Sequence, residues 1–328
     1  MLLTLGIPNY NRKEAICANV KDMLKNKVHE EMQILIIDDA SPDGAYEALL
    51  NDFDNSPVRI LQNDINLGFT GNIIRLFNEC TTDYLVITSN EDPLVSDNID
   101  SLKLFLTKYE PVFLSSQFYL NKQGENILYR GREDVSYIQP KEAHSSGFYI
   151  SGLVYRIEES LKSIDKLKDF LFQTGAIYTQ TVIISELMLS YGRRCFWWDK
   201  YLAIKAFQYG SEIKDNNSGK YFHLPARWYQ HQFYSDYYQN RVDNAPNEEY
   251  RKNAQEMLDH QKKSFIGSVR HAIRAERPDL LQAFDKGAKE FYNNSFGKRL
   301  FKLLKRFFSN PIVTTKHIIN RLKNKMKP

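Results

Sequence analysis

A cluster of polar side chains follows one of the apolar runs of this 328-residue sequence, at Asn90-Glu91-Asp92-Pro93. The apolar, β-branched run over residues 84–88 predicts a short buried strand that ends where the cluster begins. Open α/β sheets bind their ligands at the carboxyl ends of strands, and acidic side chains there commonly hold a divalent cation. The alternative is a solvated acidic turn, because Asp and Glu are mostly exposed in proteins.

Asp199 is a second candidate for chemistry, and it stands directly after the aromatic run Phe196-Trp197-Trp198. The flanking tryptophans would shield this carboxylate from water and raise its pKa. An apolar periodicity over residues 200–206 predicts a helix, so the alternative is that Asp199 only caps that helix. The local pattern leaves both interpretations open.

Alternating strands and helices surround the first cluster. Strands are predicted over residues 2–7, 32–37, 58–62 and 84–88, with helices over residues 13–24, 45–53 and from Asn72 to Cys80 between them. This spacing is typical of βαβ units and a largely parallel sheet. Because the carboxyl ends of parallel strands share one edge, we expect Asp39, Asn66 and Asp92 to converge there. A solvated turn does not explain three such ends at once.

Four segments between residues 7 and 92 resemble the family 2 glycosyltransferases of GT-A type. They are Ile7-Pro8-Asn9-Tyr10-Asn11-Arg12, Ile36-Ile37-Asp38-Asp39-Ala40-Ser41-Pro42-Asp43-Gly44, Asn66-Leu67-Gly68 and Asn90-Glu91-Asp92. The resemblance implies a Rossmann-like GT-A fold, which is a mixed, mostly parallel α/β sheet with flanking helices. It also implies an inverting sugar transfer from a nucleotide-diphosphate donor, most commonly a UDP-sugar, to a hydroxyl, with Mn²⁺ or Mg²⁺ on the diphosphate.

The same resemblance implies roles for individual residues. Pro8 and Tyr10 would line the nucleoside pocket, and Asp39 would accept a hydrogen bond from the base. Asp92 would bind the divalent cation, with His231 as an additional ligand. Asp199 would be the general base. The other residues expected to contact the nucleotide sugar are Arg12, Asn66, Asn72, Asn90 and Glu91.

Two positions depart from the family pattern and keep other function classes open. Asn90 stands where the first Asp of an Asp-x-Asp-type motif is usual, and Trp198 stands where a Glu usually precedes the base. A catalytically degenerate nucleotide-sugar-binding module is therefore one alternative. A nucleotidyltransferase is another, although such enzymes usually have a Gly-rich basic loop after the first strand. Neither a Gly-x-Gly-x-x-Gly motif opening a helix nor a P-loop occurs, which argues against dinucleotide and ATP sites of those types.

The sequence predicts three parts. Residues 1–110 form the nucleotide-sugar-binding α/β half, residues 111–245 the acceptor-binding half with the catalytic base, and residues 246–328 a helical extension. From Lys298 onward the chain has ten Lys and Arg and no Asp or Glu, whereas the remainder has 34 basic and 40 acidic residues. The extension is therefore strongly basic on an acidic body.

Residues 296–308 have the pattern of an amphipathic helix, with seven apolar side chains on one half and five basic side chains on the other. Such a helix is typical of binding to an anionic membrane surface. Packing on the core or on a second subunit and nucleic-acid binding are the alternatives, and we expect no nucleic-acid partner. Deletion from Lys298 onward tests this, since it would abolish sedimentation with anionic liposomes.

These features together indicate a place in the cell. The three cysteines have no metal-ligand spacing, and neither a leader sequence nor a membrane-spanning run is visible. We therefore expect a cytoplasmic enzyme, peripheral on the inner face of the cell membrane. Its acceptor would be a glycan or lipid-linked glycan, as in bacterial surface-polysaccharide biosynthesis by a hexosyltransferase.

Overall fold

The computed structural model describes residues 1–122, 125–173, 178–206 and 224–276. These residues belong to two compact units. The first is built from Met1–Glu212 with Tyr237–Leu258, and the second from Ile213–Asp236 with Asp259–Pro328. The first unit contains a nine-stranded sheet flanked by helices, and the described part of the second unit is helical. The predicted boundaries after residues 110 and 245 remain predictions.

The first four strands form a parallel group. They are Leu3–Asn9 (β1), Gln33–Asp38 (β2), Val58–Gln62 (β3) and Tyr84–Ile87 (β4), in the spatial order β3-β2-β1-β4. The connecting helices are Lys13–Lys25 (α1), Val28–Glu31 (α2), Ala45–Phe53 (α3) and Gly68–Glu79 (α4). This arrangement confirms the predicted βαβ units.

Helices cover both faces of β1, which explains why the strand is almost continuously apolar. Leu3, Leu5 and Ile7 belong to the core that includes side chains of α1 and α3. Gly6 lies on the opposite face, because successive side chains of a strand alternate. A Cβ on Gly6 would come within 3.2 Å of Leu76 in α4. The buried β1 therefore positions its polar end, Asn9, at the edge of the sheet.

The remaining strands extend the sheet beyond β4. They are Phe113–Lys122 (β5), Glu125–Arg130 (β6), Ser136–Tyr137 (β7), Leu153–Arg156 (β8) and Cys195–Ala206 (β9). The order continues β4-β8-β5-β9-β7, and β6 pairs with β5. Six of these nine strands, β1 to β5 and β9, run in the same direction. The predicted mixed, mostly parallel sheet is confirmed.

Six further α-helices occur in the described part of the chain. They are Ile99–Tyr109 (α5), Ala143–Ser146 (α6), Ile157–Leu171 (α7), Thr179–Tyr191 (α8), Leu224–Asp243 (α9) and Glu248–Glu276 (α10). Single 3₁₀ turns lie at Ser96–Asn98, Pro140–Glu142 and Gly192–Arg194. Across these residues no helix has the length and apolar content needed to cross a membrane. The amphipathic segment predicted over residues 296–308 lies outside the described residues.

The helix predicted over residues 200–206 is wrong, because β9 continues to Ala206. Pairing with β5 decides the conformation, since β-sheet formation depends on neighbours more than on local pattern. The pairing changes register between Ser115, opposite Trp197, and Gln117, opposite Tyr201. Asp199 therefore lies in a bulge of β9 and does not cap a helix.

Candidate active site

A chain of buried hydrogen bonds joins the ends of three strands. Asn9, at the end of β1, donates through Nδ2 to Asp38 Oδ1 at 2.8 Å and accepts through Oδ1 from Asn90 Nδ2 at 2.7 Å. Asp38, at the end of β2, also accepts from the backbone N–H of Ser41 at 2.9 Å and from its hydroxyl at 2.5 Å. All four side chains are buried. The network therefore fixes the loops after β1, β2 and β4 relative to one another.

Two residues beside this network have a left-handed backbone. Asn11 and Ala40 both have φ of 54°. The Asn11 N–H donates to Ser41 Oγ at 2.9 Å, and the Asp39 N–H donates to the Asn9 carbonyl at 2.9 Å. Non-glycine residues adopt this conformation at a cost of about 1–2 kcal/mol, so the surrounding contacts must hold them there. Such backbone strain is common at functional sites.

Asp39 belongs to a second network, at the connection between β3 and α4. Its Oδ1 accepts from Asn63 Nδ2 at 2.6 Å and from the Leu67 N–H at 2.8 Å. Asn63 also lies 3.3 Å from Asn72 Oδ1, and Asn72 Nδ2 donates to the Ile37 carbonyl at 3.1 Å. Asp39 is therefore held in one orientation at the edge, and it anchors the loop that leads into α4.

The predicted nucleotide contacts differ in their exposure. Tyr10 is 46% exposed, Pro8 is half-buried and Asn66 is exposed. Asn72 and Asn90 are instead buried within the two networks. Pro8, Tyr10 and Asn66 are open to direct contact with a ligand, whereas the side chains of Asn72 and Asn90 are hydrogen-bonded inside the protein. The roles of all five remain predictions.

An ion pair joins the loops after β1 and β4 at the same edge. Arg12 Nε lies 2.7 Å from Glu91 Oε1, and the two side chains are 34% and 42% exposed. Solvent-exposed pairs contribute little to stability. An anionic ligand can therefore compete with Glu91 for the Arg12 guanidinium at small cost.

Asp92 is fully buried, in contrast to Glu91. Its Oδ2 accepts a hydrogen bond from the Ser151 hydroxyl at 2.5 Å, and the same hydroxyl accepts from the Ser89 N–H at 2.9 Å. Burial is the main cause that raises the pKa of the Tyr149 phenol, and the charge of Asp92 and a hydrogen bond to it add to the effect. The Asp92 carboxylate is thus surrounded by hydroxyl groups inside the protein.

These contacts bear on the expected divalent cation. In the part of the chain that the structure describes, no group of three or more His, Cys, Asp or Glu side chains is placed to hold a metal ion. Asp92 contacts hydroxyl groups, and Glu91 pairs with Arg12. The side chains present therefore do not fit a preformed cation site. Asp92 as a cation ligand remains a prediction.

His231, the other expected ligand, lies in α9 and belongs to the second unit. Its Nε2 is 3.3 Å from Ser235 Oγ. Burial, together with the charge of Lys262, lowers the pKa of His231 to about 3. The imidazole is therefore neutral at neutral pH, and its role as a ligand also remains a prediction.

The register of the sheet places Asp199 at the same edge. Ile87 pairs with Leu153, Leu153 with Ser115, and Ser115 with Trp197. Asp199 stands two residues further along β9 than Trp197, and β9 lies three strand spacings, or about 14 Å, from β4. Bulges such as the one around Asp199 often redirect a side chain next to an active site.

The surroundings of Asp199 differ from the expected ones. Its side chain is exposed, while Trp197 and Trp198 are buried. Trp198 packs against Phe105 in α5, with ring centroids 6.3 Å apart. The tryptophans therefore anchor β9 in the core and do not shield the carboxylate from water.

The segment after the acidic turn connects the two halves of this edge. The Val95 N–H donates to the Leu202 carbonyl at 2.8 Å, and Asn98 Nδ2 donates to the Tyr201 carbonyl at 2.9 Å. The strand that carries Asp199 is thus hydrogen-bonded to the segment that follows the turn. The predicted convergence of strand ends extends to β9.

Several members of the site were not predicted as site residues. Asn9 and Asp38 are the last residues of β1 and β2, and Asn63 directly follows β3. A polar residue at the end of a buried apolar strand was the available signal. Ser151 had no comparable signal, because only the antiparallel pairing of β8 with β4 brings it to the turn.

Comparison with known proteins agrees with this architecture. Residues 4–164 match the family model described as glycosyl transferase family 2. No curated protein sequence matches the chain significantly.

Among solved structures, the chain is similar to Staphylococcus aureus TarS 1-349, at 11% identity over 88% of this chain and 92% of that one, with a TM-score of 0.61. The same protein in complex with UDP-GlcNAc shows 14% identity over 86% and 84%, with a TM-score of 0.61. The mannosyltransferase PcManGT from Pyrobaculum calidifontis, in complex with GDP-Man and Mn²⁺, shows 11% identity over 93% and 84%, with a TM-score of 0.51. At these identities the likeness shows a shared fold.

Proposed function

Residues 4–164 of this chain belong to glycosyl transferase family 2, and we propose that this glycosyltransferase moves a sugar from a nucleotide diphosphate to a hydroxyl with inversion. One observation carries the proposal. Polar residues at the ends of β1, β2 and β4 form one buried network around Asn9, where an open α/β sheet binds its ligands. The structurally similar TarS 1-349 forms a complex with UDP-GlcNAc, which favours a UDP-sugar as donor.

The nucleoside would bind at Asp39, Pro8 and Tyr10. Asn63 and the Leu67 N–H hold Asp39 through one carboxylate oxygen, which leaves Oδ2 to accept a hydrogen bond from the base. The exposed ring of Tyr10 offers a flat surface for stacking. Asn66, exposed at the start of α4, completes the proposed set of nucleoside contacts.

Arg12 would contact the diphosphate. It is partly exposed, and its present partner Glu91 is held in a weak surface pair. A diphosphate carries more negative charge than one carboxylate, so it competes well for the guanidinium. Glu91 would then turn toward the donor. A divalent cation bound with the donor is supported by the family and by the structurally similar PcManGT, which forms a complex with GDP-Man and Mn²⁺.

Asp199 would be the general base. The acceptor hydroxyl would transfer its proton to the carboxylate as its oxygen bonds to the anomeric carbon from the side opposite the diphosphate. The bond between the anomeric carbon and the diphosphate would break, and the nucleoside diphosphate would leave with the electron pair. The exposed position in the β9 bulge gives an acceptor free access to this carboxylate.

The acceptor would be a glycan or lipid-linked glycan, with the basic segment over residues 296–308 bound to an anionic membrane surface. That combination fits a hexosyltransferase of surface-polysaccharide assembly on the inner face of the membrane. The support is the pattern of that segment in the sequence.

Release of nucleoside diphosphate from UDP-sugars tests the proposal. We expect release by the wild type and a loss of about 10²- to 10⁴-fold in Asp199→Asn, because general-base catalysis typically contributes this much. Glu158→Gln, an exposed change on α7, is the matched control. Undiminished release by Asp199→Asn would remove it as the base. Thermal stabilisation by UDP without any release would instead favour the degenerate binding module, which is the second candidate because Asn90 and Trp198 depart from the family pattern.

A further inference from the structure

We propose that Arg130 and Asp92 form a buried positioning pair, joined through Ser151, which holds the acidic turn so that Glu91 is the carboxylate it presents to the donor. The inference deepens the proposed function and rests on it, because it divides the work of that turn between its two acids. Asp92 would then be a positioning residue, and Glu91 the residue that faces the ligand.

Arg130, the last residue of β6, has a guanidinium that is buried against backbone carbonyls. It is 5% exposed, and Nη2 donates to the Ser151 carbonyl at 2.7 Å and to the Ser116 carbonyl at 3.1 Å. Nη1 donates to the Tyr149 carbonyl. Burial lowers the pKa of Arg130 to about 10, while Tyr155, Tyr149 and, to a smaller extent, the negative charge of Asp92 oppose that change. The guanidinium therefore remains charged at neutral pH, and it needs a counter-charge inside the protein.

Asp92 meets that need. It is fully buried, and Ser151 links it to the arginine. The Ser151 carbonyl accepts from Arg130, and the Ser151 hydroxyl donates to Asp92 Oδ2 at 2.5 Å. Buried charges are tolerated when they are compensated by opposite charge and by hydrogen bonds. Arg130 and Asp92 carry opposite charges, and each has hydrogen-bond partners inside the protein.

The same serine fixes the geometry of the turn. The Ser151 hydroxyl accepts from the Ser89 N–H at 2.9 Å, and the Asp92 N–H lies 3.3 Å from the Ser89 carbonyl. Ser89, just before the acidic turn, and Asp92, at its end, are therefore held inward. Glu91 between them is left at the surface beside Arg12.

The backbone next to Ser151 leaves no room for a side chain at Gly152. Gly152 has φ of 80°, and a Cβ there would collide with the Ser116 hydroxyl and approach Arg130 Nη2 to 3.4 Å. The arginine, the Ser151-Gly152 turn and Asp92 are thus one rigid support beneath the acidic turn.

A comparison of single and double variants of the full-length chain tests the pairing. The variants are Asp92→Asn, Arg130→Met, the double variant, Ser151→Ala and Glu91→Gln, with Glu158→Gln as the exposed control. The readouts are Mn²⁺ binding in the presence of UDP by electron paramagnetic resonance, kcat and KM for UDP release from a UDP-sugar, and the urea midpoint of unfolding.

We expect Asp92→Asn and Arg130→Met to lower kcat alike, by about 10- to 100-fold as for other residues that support a site from behind its ligand contacts. Because the two residues act as a unit, the double variant should lose no more than the worse single variant. Ser151→Ala, which removes one oxygen only, should give a smaller loss of the same kind. Glu91→Gln should raise KM for the UDP-sugar about 10-fold, or about 1.4 kcal/mol, because the donor loses a charged hydrogen-bond acceptor, and it should leave the urea midpoint unchanged.

The opposite pattern would overturn the inference. If Asp92→Asn abolishes Mn²⁺ binding while Arg130→Met preserves it, Asp92 is a ligand and not a positioning residue. Losses that multiply in the double variant would also refute the pair. If the wild type neither binds Mn²⁺ with UDP nor releases UDP, the proposed function fails. The urea midpoints of the single and double variants would still decide whether Arg130 and Asp92 are coupled.

Discussion

Asn9→Ala gives the most direct test of the buried network at the sheet edge. The Asn9 side chain makes two hydrogen bonds, one to the Asp38 carboxylate at 2.8 Å and one from Asn90 Nδ2 at 2.7 Å. All three side chains are at most 8% exposed, so water does not replace the lost partner. The substitution removes both bonds and leaves a buried amide donor on Asn90 without its acceptor.

The magnitude follows from these two losses. A hydrogen bond to a charged group contributes about 1.5–3 kcal/mol, and a buried donor left unsatisfied costs about 1–3 kcal/mol. We therefore expect Asn9→Ala to lower the free energy of unfolding of the first unit by about 4 kcal/mol. UDP binding should weaken as well, because the loops after β1 and β4 lose their common anchor.

Chemical denaturation followed by tryptophan fluorescence measures the loss. Trp197 and Trp198 lie in the same unit as Asn9 and are buried, so their emission reports its unfolding. Asn26→Ala, at an exposed asparagine after α1, is the matched control and should stay within about 0.5 kcal/mol of the wild type. If Asn9→Ala also stays within that range, the strand ends are not joined as described, and the reasoning fails.

Three further predictions concern other parts of the molecule. Glu186→Leu should destabilise the first unit by about 3–5 kcal/mol, because Arg241 loses its partner: its Nε lies 2.9 Å from the buried Glu186 carboxylate. Urea denaturation measures this loss of stability, and a loss smaller than that of Asn26→Ala would contradict the prediction. Glu91→Gln should cost less than about 1 kcal/mol in the same assay, since its pair with Arg12 is exposed; a larger loss would mean that the pair is buried in solution. Burial, together with the charge of Lys262, lowers the pKa of His231 from 6.5 to about 3, so the unfolded chain binds a proton at a higher pH than the folded chain does. The free energy of unfolding therefore falls as the pH drops from 6.5 toward 3, by up to about 1.4 kcal/mol per pH unit. Melting curves of the second unit should show that slope in the wild type and a shallower one in His231→Asn; equal slopes would refute it.

The first half of the fold could be predicted closely from the sequence. The runs that form β1, β2 and β4 are buried, so hydrophobicity alone marks them, and the polar residues after them mark the edge. Strand β9 could not be predicted in this way. Its residues have the apolar spacing of a helix, but pairing with β5 determines their conformation.

The candidate site divides along a similar line. Asp39, Tyr10, Arg12 and Glu91 were predicted as site residues, and all four lie in the loops at the carboxyl edge of the sheet. Asp92 was predicted as the ligand of a divalent cation, but which of the two adjacent acids is exposed could not be predicted. Glu91 and Asp92 are neighbours in sequence, yet one is exposed beside Arg12 and the other is fully buried beside Ser151.

The sequence by itself determined the parallel sheet, its polar edge and the resemblance to family 2 glycosyltransferases, because these depend on local periodicity and on residues at strand ends. The tertiary structure alone decided which side chains of the turn at Asn90-Glu91-Asp92 are buried. Ser151 and Arg130 come from strands or turns 59 and 38 residues away in the chain, and no local pattern shows that antiparallel pairing will bring them beneath the turn. A hydrogen bond requires atoms to meet within about 3 Å, and only the packed sheet establishes that proximity.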